Sequence, residues 1–323
     1  MKHTEILYAA KHFQEGGTLK AVVFGEISMD ILIRVSQDAS QDPVVRGSSY
    51  TCSFGGRGAN QAIAVSRLGV KTSLVGQVGS DDFGNALMNH LRTTAVETSG
   101  VKVGNGSSAL AILAVTKDGE FRVLSFVEGV NSTVGAEDVQ RFIDLMKGCR
   151  VALFQLGYSV PVILSAAKAA KENGIITILD PAPILSDTAD LYSSIDIITP
   201  NQQEAESLVG FRVYDPSTSA KAADVLHQLG ARVVIIKLGE QGAYCSTQNE
   251  RVFLPAFRVK AIDTVGAGDA FNGALASGIA HGLSITEAAI WGTAAGAISA
   301  TKIGAQSGMP DLTSLIAFIN KVT

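Results

Sequence analysis

The chain has 323 residues, 46% of them hydrophobic and 17% charged, with a formal net charge of -4. Such a composition excludes intrinsic disorder and lacks the basic footprint that nucleic-acid backbones require. Its three cysteines, Cys52, Cys149 and Cys245, lie far apart, which excludes a disulfide framework and paired-cysteine zinc sites and suggests buried thiols in a reducing cytoplasm.

Residues 1–19 read as an N-terminal extension, helical or frayed, ending at Gly16 and Gly17 and without the apolar stretch of a secretory signal. A single domain is expected over 20–323. Its opening run AVVFG (21–25) is followed by NQAIAVSRLG (60–69), TSLVGQVG (72–79) and DDFGNALMNHL (81–91), short aliphatic runs alternating with amphipathic ones. The rhythm resumes with RVALFQLG (150–157), PVILSAAKAAKENG (161–174), IITILD (175–180), IDIITP (195–200) and RVVIIKLG (232–239). This alternation predicts an α/β fold, a three-layer core around a mostly parallel sheet whose buried strands read as continuous aliphatic runs. Two stretches, 30–54 and 98–130, hold strand-like pieces without helices and predict a small antiparallel sheet, a lid made of two insertions. The longest apolar run, ALAILAV (109–115), is far below the roughly 20 residues that span a bilayer, so no membrane association is expected.

Two glycine-rich loops carry the chemistry. In SFGGRGANQAIAVSRLG (53–69) paired glycines precede a helix with Asn60 at its mouth. Glycine lets backbone approach a ligand closely, and an Asn amide can both donate to and accept from hydroxyl groups, so the loop suits a polyol; a tight turn with an Asn cap is the plainer reading. In DTVGAGDAFNGAL (263–275), Gly266, Ala267 and Gly268 feed a helix. Unpaired N–H groups and the helix dipole there attract phosphate. Asp269 is then either a first-turn residue favoured by the dipole or a general base held where phosphate arrives. There is no Gly-Lys dipeptide, G-x-G-x-x-G, G-x-S-x-G or H-E-x-x-H in the chain, so the P-loop, the dinucleotide turn, the hydrolase elbow and the zinc-protease helix are excluded.

Together GGRGANQAIAVSRLG and DTVGAGDAFNGAL resemble the two signatures of the ribokinase-like, or phosphofructokinase B, family of carbohydrate kinases. The resemblance runs from about residue 20 to the C-terminus through GEISMD (25–30), LDPAP (179–183), ITPNQQEAESLVG (198–210), KLGEQGA (237–243) and TKIGAQSGMP (301–310). GGRGANQA and GAQ are most similar to the ribokinase branch. The resemblance implies a Rossmann-like core with a β-sheet lid and transfer of the ATP γ-phosphate to a sugar hydroxyl. It implies that Asp269 is the base and that the N–H groups of Gly266, Ala267 and Gly268 form an anion hole. Asp30, Gly55, Gly56 and Asn60 would hold sugar hydroxyls. Asn201, Lys237, Gly239, Gly242 and Gly268 would line the nucleotide. Glu204 would act on Mg2+ indirectly, and Asp263, Val265, Ser299, Lys302 and Gly304 would surround a monovalent cation, usually K+.

Plainer readings exist for several of these residues: a turn cap for Asp30, a solvated helix face for Glu204, a snorkelling strand end for Lys237, the start of a turn for Asp263. Trp291, within AAIWGTAAGAISA, reads as core. A nucleoside or other small-alcohol kinase on the same fold, and a non-catalytic sugar- or nucleotide-binding regulator, are the rival functions. Exposed lid edges would allow a homodimer.

The chain departs from the ribokinase pattern at three places. Gly308 stands where a serine often joins the cation shell. SQDPVVRGSSY (40–50) lacks the usual proline-glycine-glutamate turn before the lid. After VALFQL, where the pattern usually has a glutamate contacting the sugar, the chain has Gly157 and Tyr158. The room at Gly157 and an inward-turned Tyr158 ring predict a bulkier acceptor, a hexose or nucleoside, with D-ribose not clearly the best. If Tyr158 faces the core instead and another polar group replaces the glutamate, ribose remains the substrate.

Overall fold

The structure, a computed structural model, describes residues 19–35, 46–115, 121–185 and 188–322. The expectation for the N-terminal extension falls almost entirely outside the described residues, as do 36–45 and 116–120 of the predicted lid.

The described strands are β1 (Lys20–Phe24), β2 (Ser28–Val35), β3 (Gly47–Gly55), β4 (Lys71–Gly79), β5 (Val101–Gly104), β6 (Ala109–Val115), β7 (Phe121–Val127), β8 (Val151–Gln155), β9 (Ile176–Asp180), β10 (Ile197–Ile198), β11 (Val233–Lys237), β12 (Gly242–Ser246) and β13 (Arg251–Pro255). Nine of them form one sheet in the order β13-β12-β11-β10-β9-β8-β1-β4-β5. All its pairings are parallel except the hairpins β11–β12 and β12–β13 at one edge. Successive residues of a strand point to opposite faces. Thus Ala21 and Val23 join one core with Ile63, Leu275 and Trp291, while Val22 and Phe24 join a second core with Phe142, Ile163 and Leu226. These two apolar layers, each closed by helices, explain why β1 and β8 read as unbroken aliphatic runs. Trp291 packs in the first core as expected.

Small residues set how closely the site-bearing helices pack. A Cβ on Gly273, in helix Ala267–Ala280, would lie 2.3 Å from the Ala64 methyl in helix Arg57–Arg67. One on Gly278 would lie 2.9 Å from that of Ala288 in helix Ile285–Ser299. Larger side chains would push the two glycine-rich loops apart.

The second sheet, β3-β2-β6-β7, is the expected lid, with two corrections. Its central pair, β2–β6, is parallel, so the sheet is mixed rather than wholly antiparallel. Its second segment begins at Ala109, not at 98, because Val101–Gly104 pairs in parallel with β4 at the edge of the main sheet, and Gly129–Thr133 forms a 3-10 turn. Tyr50 and Val123 are 71% and 62% exposed on the lid. Of the thiols expected to be buried only Cys245 is; Cys149 is half-buried, and Cys52, on a lid strand, faces solvent.

Candidate active site

Open parallel sheets bind ligands beyond the carboxyl ends of their strands. There the chain places Glu26 after β1, Gly157 after β8, Asp180 at the end of β9 and Lys237 at the end of β11. The N-termini of helices Arg57–Arg67 and Ala267–Ala280 point to the same place.

The second of these helices begins at Gly266, whose backbone is left-handed (φ 77°). A Cβ there would also lie 2.6 Å from that of Ala305, so only glycine makes this turn. The turn directs the Ala267 N–H back to the Thr264 carbonyl at 3.2 Å. Among the described residues, the N–H groups of Gly266 and Gly268 have no partner, which leaves two of the three expected donors open.

Asp269 is 7% exposed in the first turn of this helix. Asn60 Nδ2 donates to one carboxylate oxygen at 2.9 Å and Gln61 Nε2 to the other at 3.0 Å. Asn60 Oδ1 accepts from Gln306 Nε2 at 2.9 Å, and Gln61 Oε1 from Gln155 Nε2 at 2.7 Å. Both amides are therefore fixed with their NH2 groups towards Asp269. Burial raises the Asp269 pKa, and the Arg57 guanidinium pulls it back.

Gln61 Nε2 also donates to Asp180 at 3.0 Å, and Lys237 Nζ donates to the other Asp180 oxygen at 2.8 Å. Lys237 is thereby held over the anion loop, with Nζ 3.6 Å from where a Gly268 Cβ would sit. Arg57 lies 3.8 Å from Asp180. Burial lowers the Arg57 pKa, but the charges of Asp180, Asp269, Glu26 and Glu204 outweigh that and raise it.

On the other side Asp30, in β2 where that strand leaves the core for the lid, accepts from Ser28 Oγ at 3.1 Å. A Cβ on Gly55 would lie 2.2 Å from its carboxylate, so glycine there makes room for Asp30. Gly56 (φ 90°) starts the Asn60 helix. Burial raises the Asp30 pKa to about 6, the Ser28 hydroxyl opposes the shift, and Asp269 adds to it. A group whose folded pKa is raised stabilises the fold below its unfolded value of 3.8 and loses that contribution as pH rises through about 6. Asp30→Asn should therefore gain stability relative to the parent chain between pH 4 and 7. Urea unfolding at several pH values checks this, and a difference that does not vary with pH would contradict it.

Asn201 and Glu204 form a capping box: Asn201 N and Nδ2 each donate to Glu204 at 2.7 Å, and Glu204 N donates to Asn201 Oδ1 at 2.8 Å. Glu204 is buried, not on a solvated face. Burial raises its pKa, Lys237 lowers it and Asp180 raises it. Gly239 and Gly242, both with positive φ, shape the turn after Lys237. Among the described residues no three His, Cys, Asp or Glu side chains cluster as a metal cage, and an indirectly held magnesium ion needs none.

Asp263 ties two loops together, accepting from Val265 N at 3.0 Å and Gly304 N at 2.8 Å. Behind them the buried Ser299 Oγ has no hydrogen-bond partner, and it would lie 2.9 Å from a Cβ on Gly308. Lys302 is exposed at the end of the same turn.

Tyr158 does not turn into the pocket. It is 4% exposed, with its ring 5.2 Å from that of Phe24 in the second core. Nor is there room at Gly157, where a Cβ would lie 2.6 Å from the Glu26 carboxylate. The expectation of a bulkier acceptor loses both its grounds. Sequence reading missed four charged or amide residues of this centre, Glu26, Arg57, Gln61 and Asp180. Each sits inside a motif already singled out, and the signal was a polar group at the end of an aliphatic strand or the start of a helix.

A buried carboxylate behind unpaired backbone N–H groups, with a lysine above them and a second carboxylate under a lid, defines a phosphotransferase with an alcohol group as acceptor. The pfkB family carbohydrate kinase profile matches residues 18–312. The chain belongs to this family. It is 36% identical over 300 residues to a ribokinase from Haemophilus influenzae, covering 92% of this chain and 97% of that one. A ribokinase structure from Thermotoga maritima superposes with TM-score 0.83 at 31% identity, covering 94% of this chain and 99% of that one. A ribokinase from Arabidopsis thaliana complexed with ribose and ATP gives 0.85 at 26% identity, with the same coverages.

Proposed function

We propose that this ATP-dependent carbohydrate kinase phosphorylates a hydroxyl of a ribose-type pentose, with Asp269 taking the hydroxyl proton. The observation that carries this reading is the Asp269 carboxylate, fixed by Asn60 and Gln61 directly behind the open N–H groups of Gly266 and Gly268. Asp30, Asn60 and the backbone at Gly55 and Gly56 hold the sugar. As the sugar oxygen bonds to the γ-phosphorus, its proton passes to Asp269 and the bond to the β-phosphate oxygen breaks, releasing ADP. The two N–H groups and Lys237 stabilise the charge on the transferring phosphoryl group, the main demand of this reaction. Asn201, Gly239 and Gly242 line the nucleotide, and Glu204 would hold magnesium indirectly. Bound magnesium neutralises phosphate charge. The relatives named ribokinase support the pentose, as does a pocket without extra room at Gly157. ADP release measured over pentoses, hexoses and nucleosides tests the reading: D-ribose should be among the best acceptors, and a marked preference for hexoses or nucleosides would contradict it.

The residues around Asp263 suit potassium, a weakly hydrated ion that takes oxygen ligands. The unpartnered Ser299 hydroxyl beside Gly308 supplies an oxygen that position 308 lacks. Activity should be higher in potassium than in sodium, and the difference should shrink in Ser299→Ala. Equal rates in the two salts, with potassium rigorously removed from one, would contradict the site.

The exposed apolar side chains of the lid, Tyr50, Val123 and Phe126 among them, favour pairing of two copies through this sheet. Light scattering should give a dimer at assay concentration, and a monomer would contradict the pairing. The three free thiols suit a cytoplasmic enzyme.

A further inference from the structure

Glu26 is the least expected charge in the site. It lies two residues after the end of β1, at the carboxyl edge of the sheet, and is only 7% exposed. Its backbone carbonyl is used structurally, accepting from Ala59 N at 3.1 Å. Burial pushes the pKa of its carboxyl up, while the guanidinium and the backbone N–H of Arg57 pull it down. Among the described residues no side chain hydrogen-bonds to it. A buried carboxylate has about four acceptor positions, so most of those on Glu26 await donors. Asp269 and Asp30 lie near enough to repel it. Buried like charges held together with so few donors raise the cost of folding, and a ligand rich in hydroxyl groups offsets that cost.

Gly157 shows that the position is built. A Cβ there would lie 2.6 Å from Glu26 Oε2, 2.9 Å from its Cδ and 3.2 Å from its Cβ. This glycine needs no left-handed backbone, for it is not among those with positive φ. Its missing side chain instead leaves the room that Glu26 fills, so positions 26 and 157 share one space that admits one side chain.

We infer that Glu26 binds a hydroxyl of the sugar acceptor, its carboxylate reaching from β1 into the space left open over Gly157. The inference rests on the sugar-kinase reading above and adds a specificity-determining residue to it. With Asp30 on the lid side and Asp269 at the phosphoryl side, Glu26 gives the pocket a third acceptor for hydroxyl hydrogens. The preferred acceptor is therefore a polyhydroxylated sugar rather than a simple alcohol.

The test is the KM of D-ribose and of ATP, measured separately, in Glu26→Ser, in Gly157→Ala and in the exchanged pair Glu26→Ser with Gly157→Glu. Loss of a hydrogen bond to a charged group should raise the KM of D-ribose about 10- to 100-fold in Glu26→Ser, with a much smaller change for ATP. Gly157→Ala, which keeps the charge but displaces it, should act in the same direction. The exchanged pair should recover much of the loss by returning a carboxylate to the shared space. Should Glu26→Ser fail to fold, Gly157→Ala decides alone. A KM for D-ribose that does not move, or one that rises no more than that of ATP, overturns the inference, because a mere counter-ion to Arg57 would act equally through Asp180 and Glu204 on the phosphate side. If the unaltered chain releases no ADP with D-ribose, the pentose-kinase reading itself fails, a result distinct from either of these.

Discussion

Asp269→Asn should lower kcat by about 10²-fold or more, the scale expected when a general base is lost. The substitution conserves shape, so the folded protein should still bind sugar and nucleotide, and calorimetric titration can establish this apart from turnover. It also changes the local hydrogen bonding. Asn60 and Gln61 both present NH2 groups to position 269, and each is held that way by its other amide atom, through Gln306 and Gln155. An Asn side chain can accept from only one of them and sets its own NH2 against the other. Stability should fall modestly for that reason, while removal of a buried charge works in the opposite direction. Turnover near that of the parent chain, with sugar binding intact, would contradict the role of Asp269.

The second large effect is expected at Lys237. Its side chain is 12% exposed and that of Asp180 is 2% exposed, with 2.8 Å between the charged atoms. Removing one partner of a buried pair typically costs about 3–5 kcal/mol when the remaining charge is left alone; here Arg57 stays 3.8 Å from Asp180 and Gln61 still donates to it, which places the cost at the lower end. Lys237→Met should therefore be destabilised, and Asp180→Asn in the same chain should recover part of that loss. Catalysis should not recover with it. Without Nζ over the anion loop, the transferring phosphoryl group loses a cation, and kcat should fall by about 10²-fold in both the single and the double variant. Urea denaturation and steady-state kinetics on both proteins separate the two roles. A double variant that is stable and fully active would show that Lys237 serves the fold alone.

The anion loop and its carboxylate are legible in the sequence because the relation is local: a glycine turn, a helix start and Asp269 fall within four consecutive residues of 266–269. The aliphatic strands are legible for a similar reason, since burial on both faces removes any polar alternation. Glu204 and Asp180 are harder. Glu204 opens a helix whose sequence looks solvated, and only its capping box with Asn201 and the nearby Lys237 show that it faces the site. Gln61 joins Asp180 and Asp269 across sequence separations of 119 and 208 residues, which no local pattern reports. Gly157 misleads most. Read along the chain it is a gap, and only the fold shows Glu26, from the loop after β1, filling it. Tyr158 misleads because periodicity ends with its strand, so nothing local decides which side of the sheet the ring takes.

The account's central claim is tested most directly by the fate of the γ-phosphate when the purified chain is given ATP, magnesium and D-ribose in potassium buffer. Mass spectrometry of the products should show one ribose phosphate formed for each ADP, and almost no inorganic phosphate. ADP that appears only with inorganic phosphate and is indifferent to ribose, or no ADP at all, would contradict it.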